Sequence, residues 1–264
     1  MKKEEKKSGK KKLTKAGRRF FQIVLIAALC VAGYSGYQLY AGIKEYRDSQ
    51  NAYAQLAAAV ETTPEASAAA EDPLPSGVTR ADFTKLAEIN SDVAGWLTLP
   101  DSEIDYPVVQ GTDNEYYLEH LFDGTVNHSG CIFIDYTNSP GFTDRNTVMY
   151  AHHMRNGSMF ADVEKYREQD WYDSHKVLYL QTPDAIYQLE PFAGILTDGG
   201  AGYVQISFES DEAFNAYVQD KIDQSTFTSD VTVSSQDQIV TLSTCRYDAY
   251  NGRYALFCKL TKIA

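Results

Sequence analysis

Residues 241–260 read TLSTCRYDAYNGRYALFCKL, an apolar-alternating run closed by Cys245, a polar loop, and a second alternating run led by Arg253. That texture is two strands joined by a short loop. Antiparallel pairing with Cys245 opposite Arg253 also sets Val240 opposite Cys258 and Leu242 opposite Leu256. The two cysteines are then five residues apart along the ladder, roughly 17 Å by strand rise and beyond disulfide reach. Because side chains alternate between faces, Val240, Leu242, Leu256 and Cys258 share one side, and Cys245 and Arg253 share the other. Cys258 reads as core. Cys245 closes a strand with a guanidinium facing it, a setting that favours the thiolate and offers a fork to an oxyanion.

Working outward, short runs broken by turn residues fill the chain past Trp96: GWLTL, EIDYPVV, GCIFID, NTVMYAHH, HKVLYLQT, AIYQLEPFAGIL, QIVTLSTC and RYALFCKL. Seven or eight strands with no internal repeat predict a mainly β fold, a closed or nearly closed barrel decorated with helices. Helical stretches are expected near 159–168 and 211–225, the latter pairing Phe214, Tyr217 and Ile222. A short helix before the first strand carries Phe83, Leu86 and Ile89, with Thr79 as its candidate N-cap. In NTVMYAHH, His152 and His153 sit at a strand end, where one of them supplies a general acid or base for a thiol. Alternation gives His152 the face of Tyr150 and Val148, and His153 the other. Cys131, in GCIFID, reads as a small buried hydrophobe.

Upstream, the charge is uneven. The net charge is −12, yet residues 1–19 hold ten Lys/Arg against Glu4 and Glu5, a net +8, which leaves −20 for the rest. A basic head alone is compatible with nucleic acid, but residues 20–40, FFQIVLIAALCVAGYSGYQLY, carry no charge over 21 positions. That length crosses a bilayer core of about 30 Å. Small residues at Ala66 and Ala68 lie too far beyond it for signal cleavage. The reading is a single-pass anchor: 1–19 a basic cytoplasmic head, 20–40 a transmembrane helix, 41–79 a stalk and Pro/Ala-rich linker, and 80–264 an extracellular catalytic domain. No nucleic acid is expected as partner.

On these motifs, residues 80–264 resemble the class B sortases, membrane-anchored cysteine transpeptidases of Gram-positive surfaces. TLSTC fits the T-L-x-T-C signature, RYALFCKL the arginine-led final strand, YAHHMRNGSMF the Y-G-H-x-M-x-x-G-S-M-F segment, and DYPVVQGTDNEYYL the early strand and helix. The stretch 211–225 is similar to the helix inserted before the catalytic-cysteine strand. The resemblance implies an eight-stranded barrel with Cys245 as nucleophile, His152 as proton-transfer partner and Arg253 as oxyanion and substrate stabiliser. It also implies a peptide groove lined by Asn114, Leu118 and Tyr150, with Ser243, Thr244 and Tyr203 as further substrate-binding candidates. Ala151 departs from the family's glycine before the catalytic histidine.

The implied reaction cleaves a C-terminal sorting signal of secreted proteins after threonine through a thioester. The acyl group then passes to an amine of a peptidoglycan precursor or a pilin. No metal or cofactor is needed, and no cluster with ligand spacing appears in the sequence. Two other readings are a cell-wall cysteine peptidase that transfers the acyl group to water, and a membrane-tethered module using tyrosines to bind carbohydrate.

Overall fold

The structure is a computed structural model and describes residues 14–61, 74–75, 78–246 and 249–264. The chain divides into two units, 1–45 and 46–264. The basic residues 2–12 and most of the Pro-rich linker fall outside the described residues. In the first unit the described residues from Lys15 on are helical and mostly exposed, part of helix α1 (Lys15–Val60), which is long and apolar enough to cross a membrane.

In the second unit the order is α2 (Phe83–Ile89), β1 (Val93–Thr98), β2 (Asp105–Val109), a 3-10 turn (Tyr116–Leu118), β3 (Ile132–Ile134) and β4 (Asn146–Tyr150). Then come α3 (Ala161–Glu164), α4 (Gln169–Ser174), β5 (Leu178–Gln181), β6 (Ile186–Asp198), α5 (Asp211–Asp223), β7 (Gln238–Cys245) and β8 (Gly252–Lys262). Among the described residues eight strands close a barrel in the order β1-β2-β3-β4-β7-β8-β6-β5. The β2/β3 and β4/β7 pairs are parallel and the rest antiparallel.

The β7/β8 register is the one expected: Cys245 faces Arg253, Val240 faces Cys258 and Leu242 faces Leu256. Val240, Leu242, Leu256 and Cys258 join the larger core. Ile239, Ala255 and Phe257, on the opposite face, join a second core with Phe192, Phe214 and Val218. Both faces of these strands are therefore buried, which is why their sequence reads as nearly continuous apolar runs.

Four expectations need correction. Helix α2 is capped by Asp82, whose carboxylate accepts from the Thr84 and Lys85 amides, and not by Thr79; the cap must immediately precede the first helical residue. The 159–168 stretch is α3, a 3-10 turn over Lys165–Arg167 and, after an extended Glu168, the separate α4. On α5 the inward stripe is Phe214, Tyr217, Val218 and Lys221, while Ile222 is 38% exposed. The i, i+3, i+4, i+7 rule selects Lys221, whose ammonium lies 4.7 Å from the Tyr217 ring centre and 2.8 Å from Asp220. Finally, 46–60 is not stalk: the compact unit begins at Tyr46, with Ser49, Tyr53 and Val60 buried in it. An Ala-rich helix with so few large anchors carries too little apolar signal to announce docking.

Candidate active site

The parallel pairing of β4 with β7 builds the site. Tyr150 is level with Ser243, and beyond the strand the Ala151 amide donates to the Ser243 carbonyl at 3.3 Å. Thr244 Oγ1 returns a bond to the Ala151 carbonyl at 2.9 Å. Residue 151 is thus stitched to the end of β7 from both directions, and His152, the next residue, is delivered to the cleft that Cys245 also lines. Strand β4 ends at Tyr150, so both histidines lie past the strand and not in it. They still diverge: His152 lines the cleft, and His153 Nδ1 meets Glu164 Oε2 at 2.8 Å. Strand β8 then sets Arg253 across from Cys245.

An open cleft of about 320 Å³ collects all nine residues singled out in the sequence: Cys245, His152 and Arg253, with Asn114, Leu118, Tyr150, Tyr203, Ser243 and Thr244. Ser243 and Thr244 are 2% and 1% exposed, and their hydroxyls are committed to Tyr203 Oη (2.6 Å) and the Ala151 carbonyl. They brace the wall rather than offer free donors. Phe133, Ala151, Val204, Gly199 and Gly202 also line the cleft and were not foreseen. Gly199 matters sterically, since a Cβ there would stand 3.3 Å from Arg253 Cζ and 2.9 Å from Asn251 Oδ1. The guanidinium itself donates from Nη1 to the Gly252 carbonyl at 3.1 Å.

Asp135, at the end of β3, is the residue the sequence reading missed. Its carboxylate accepts from the Thr137 amide (2.9 Å) and hydroxyl (2.6 Å), from Asn114 Nδ2 (3.0 Å) and from Tyr150 Oη (3.0 Å). Burial pushes the Asp135 carboxyl up, but these hydrogen bonds outweigh it and hold the group below its ordinary value. Burial, and next the Asp135 charge, push the Tyr150 phenol well up, so it remains a donor. Burial likewise raises Tyr203. Two cleft residues are thereby tied to one buried anion, a signal no local motif carries.

Burial pushes the Cys131 thiol up to about 12 and raises Cys258 as well. Both stay protonated inside the fold, whereas Cys245 is partly exposed in the cleft. His152 Nε2 lies 2.8 Å from the Leu118 carbonyl oxygen. Among the described residues no group of three or more His, Cys, Asp or Glu is placed to hold a metal ion. A thiol, an imidazole and a guanidinium in one cleft are the parts needed for acyl transfer through a covalent intermediate.

A family model described as a sortase domain matches residues 97–261. Sortase B of Listeria monocytogenes is 40% identical over 187 residues, which cover 70% of this chain and 76% of that protein. Among solved structures, a sortase B from Bacillus anthracis aligns with a TM-score of 0.72 at 34% identity, covering 84% of this chain and all of that one. A Staphylococcus aureus sortase B–substrate complex aligns with a TM-score of 0.67 at 32% identity, covering 69% and 86%.

Proposed function

The chain belongs to the sortase family, as a class B cysteine transpeptidase, and on that premise we propose that it cleaves a C-terminal sorting signal after threonine and transfers the acyl group to an amine. One observation carries the reading: Cys245 at the end of β7, Arg253 near the start of β8 and His152 just past β4 line a single cleft. Cys245 Sγ attacks the threonine carbonyl carbon, and the oxyanion that develops is met by the Arg253 guanidinium. The C–N bond breaks as the His152 imidazolium gives its proton to the leaving amine, which leaves a thioester on Cys245. An incoming amine then attacks the thioester carbonyl, passes its proton to His152 and expels the thiolate.

The sorting signal lies in the cleft against Asn114, Leu118, Tyr150 and Tyr203, with Ser243 and Thr244 braced behind it. That the S. aureus relative has been solved as a sortase B–substrate complex supports substrate binding by this fold. The acceptor amine comes from a peptidoglycan precursor or a pilin. The apolar first part of α1 anchors the protein, with its basic end cytoplasmic and 80–264 outside.

Incubating the full chain in detergent with a peptide library tests this reading. Intact and peptide-level mass spectrometry should find an acyl adduct ending in threonine on the peptide that carries Cys245. Added triglycine should divert product from acid to amide. An adduct elsewhere, or none, overturns the cysteine mechanism; an adduct that only water resolves makes the enzyme a peptidase.

A further inference from the structure

A carbonyl oxygen has lone pairs and no proton. The 2.8 Å contact between His152 Nε2 and the Leu118 carbonyl therefore requires that Nε2 carry hydrogen, in the neutral ring and in the cation alike. The proton that His152 gains and loses is then the one on Nδ1. The direction of this carbonyl becomes part of the chemistry, and the question is what aims it.

Leu118 closes the 3-10 turn over Tyr116–Leu118, and the segment that backs the turn is 129–131. The Cys131 amide donates to the Tyr117 carbonyl at 2.9 Å. Gly130, at φ +61°, lies directly against both turn carbonyls: a Cβ on it would collide with the Tyr117 oxygen and stand 2.9 Å from the Leu118 oxygen. Only glycine allows this approach. The outer side of Gly130 is held in turn by α1. Tyr53 Oη donates to the Gly130 carbonyl at 2.5 Å, and one turn earlier Ser49 Oγ shares a 2.9 Å bond with Ser129 Oγ. Tyr53 is 6% exposed, with its ring edge-on to Tyr106 at 5.1 Å. Burial pushes its phenol well above the ordinary value, so it stays a donor.

We propose that Tyr53 is a positioning residue for the proton-transfer histidine: through Gly130 it seats the Leu118 carbonyl, which pins Nε2–H of His152 and leaves Nδ1 as the working nitrogen. The inference rests on the role given to His152 above. The helix that leads into the catalytic unit is by this reading part of the acid–base machinery, with two residues between it and the ring.

The test uses the full chain in detergent, labelled with 15N in its histidine rings, with His152→Gln assigning the signals. In the neutral ring of the parent, His152 should carry its proton on Nε2. Tyr53→Phe keeps the ring and removes one hydrogen bond; it should move the His152 nitrogen shifts and lower kcat about fivefold with KM within about twofold. Gly130→Ala should move both readouts further. Tyr172→Phe is the control, another buried phenol, which bonds Ser229 at 2.7 Å; it should leave the His152 signals and kcat in place. A neutral His152 protonated on Nδ1, or a Tyr53→Phe protein with unchanged shifts and kcat, overturns the proposal. Retained activity in His152→Gln instead brings down the role of the histidine, and the nitrogen shifts tell the two failures apart.

Discussion

Asp135→Asn is the perturbation with the clearest arithmetic. The carboxylate accepts four hydrogen bonds, two per oxygen: Thr137 N and Oγ1 on one, Asn114 Nδ2 and Tyr150 Oη on the other. Asparagine keeps a single acceptor. If that oxygen stays with Thr137, the new NH2 faces two donors. Tyr150 can turn its hydroxyl proton away and accept, but Asn114 is held, because its Oδ1 already takes the Tyr136 amide at 3.1 Å. One donor–donor opposition and the loss of charge assistance should lower stability by about 2–3 kcal/mol at pH 7. The sign against pH follows from the depressed carboxyl. Its contribution is present above the unfolded value of about 4 and is lost as pH falls through the lower folded value. The gap between parent and variant should therefore narrow below about pH 4. Urea unfolding of both proteins from pH 7 to pH 3 measures it. Because Asn114 and Tyr150 line the cleft, peptide KM should rise roughly tenfold while kcat changes less. A gap under about 0.5 kcal/mol at pH 7, a gap constant down to pH 3, or an unaltered KM would refute the reasoning.

Arg253→Lys keeps the charge and loses the fork, so transpeptidation should drop on the order of 10²-fold; near-parental turnover would mean the fork is idle. His152→Ala should lose about 10²–10⁴-fold, whereas His153→Ala should stay within roughly tenfold and show its loss in thermal stability, since its partner is Glu164 at 2.8 Å. The reverse pattern would put the wrong histidine in the cleft. With Cys30 replaced by serine, iodoacetamide should alkylate Cys245 in the folded protein and spare Cys131 and Cys258, both fully buried. Cys258→Ala should unfold about 1–2 kcal/mol more easily yet keep its turnover in the peptide assay.

What was legible depended on whether the signal was periodic or tertiary. The alternation in QIVTLSTC and RYALFCKL contained the register, and one assumed pair, Cys245 with Arg253, placed every other residue of β7 and β8. Cys245 and Arg253 came from that pairing, the choice of His152 and the other cleft residues from the resemblance, and the geometry gathers them. Asp135 was invisible because an acid closing a strand, with a local bond to Thr137, looks like any solvated turn residue; only the fold brings Asn114 and Tyr150 to it. Tyr53 was hidden likewise, in an Ala-rich helix whose anchoring bonds reach residues 129 and 130. Lys221 took the buried place expected of Ile222 because its long apolar stem fits where the period points.

Strands β4 and β7 lie side by side although their paired ends, Tyr150 and Ser243, are far apart in sequence. Pairing at such separation is among the slowest events in folding, because a long loop must close before any contact rewards it. Cys245 and Arg253 lie on β7 and β8, the last two strands of the barrel in chain order. A polypeptide emerging from its N-terminus thus carries His152, and most of the cleft lining, well before it carries Cys245. Cys245 also stands apart from His152 and Arg253 until β7 seats between β4 and β8. Strand order is in this sense a safety catch: the thiol, imidazole and guanidinium proposed for the chemistry come together only when β7 and β8 are seated.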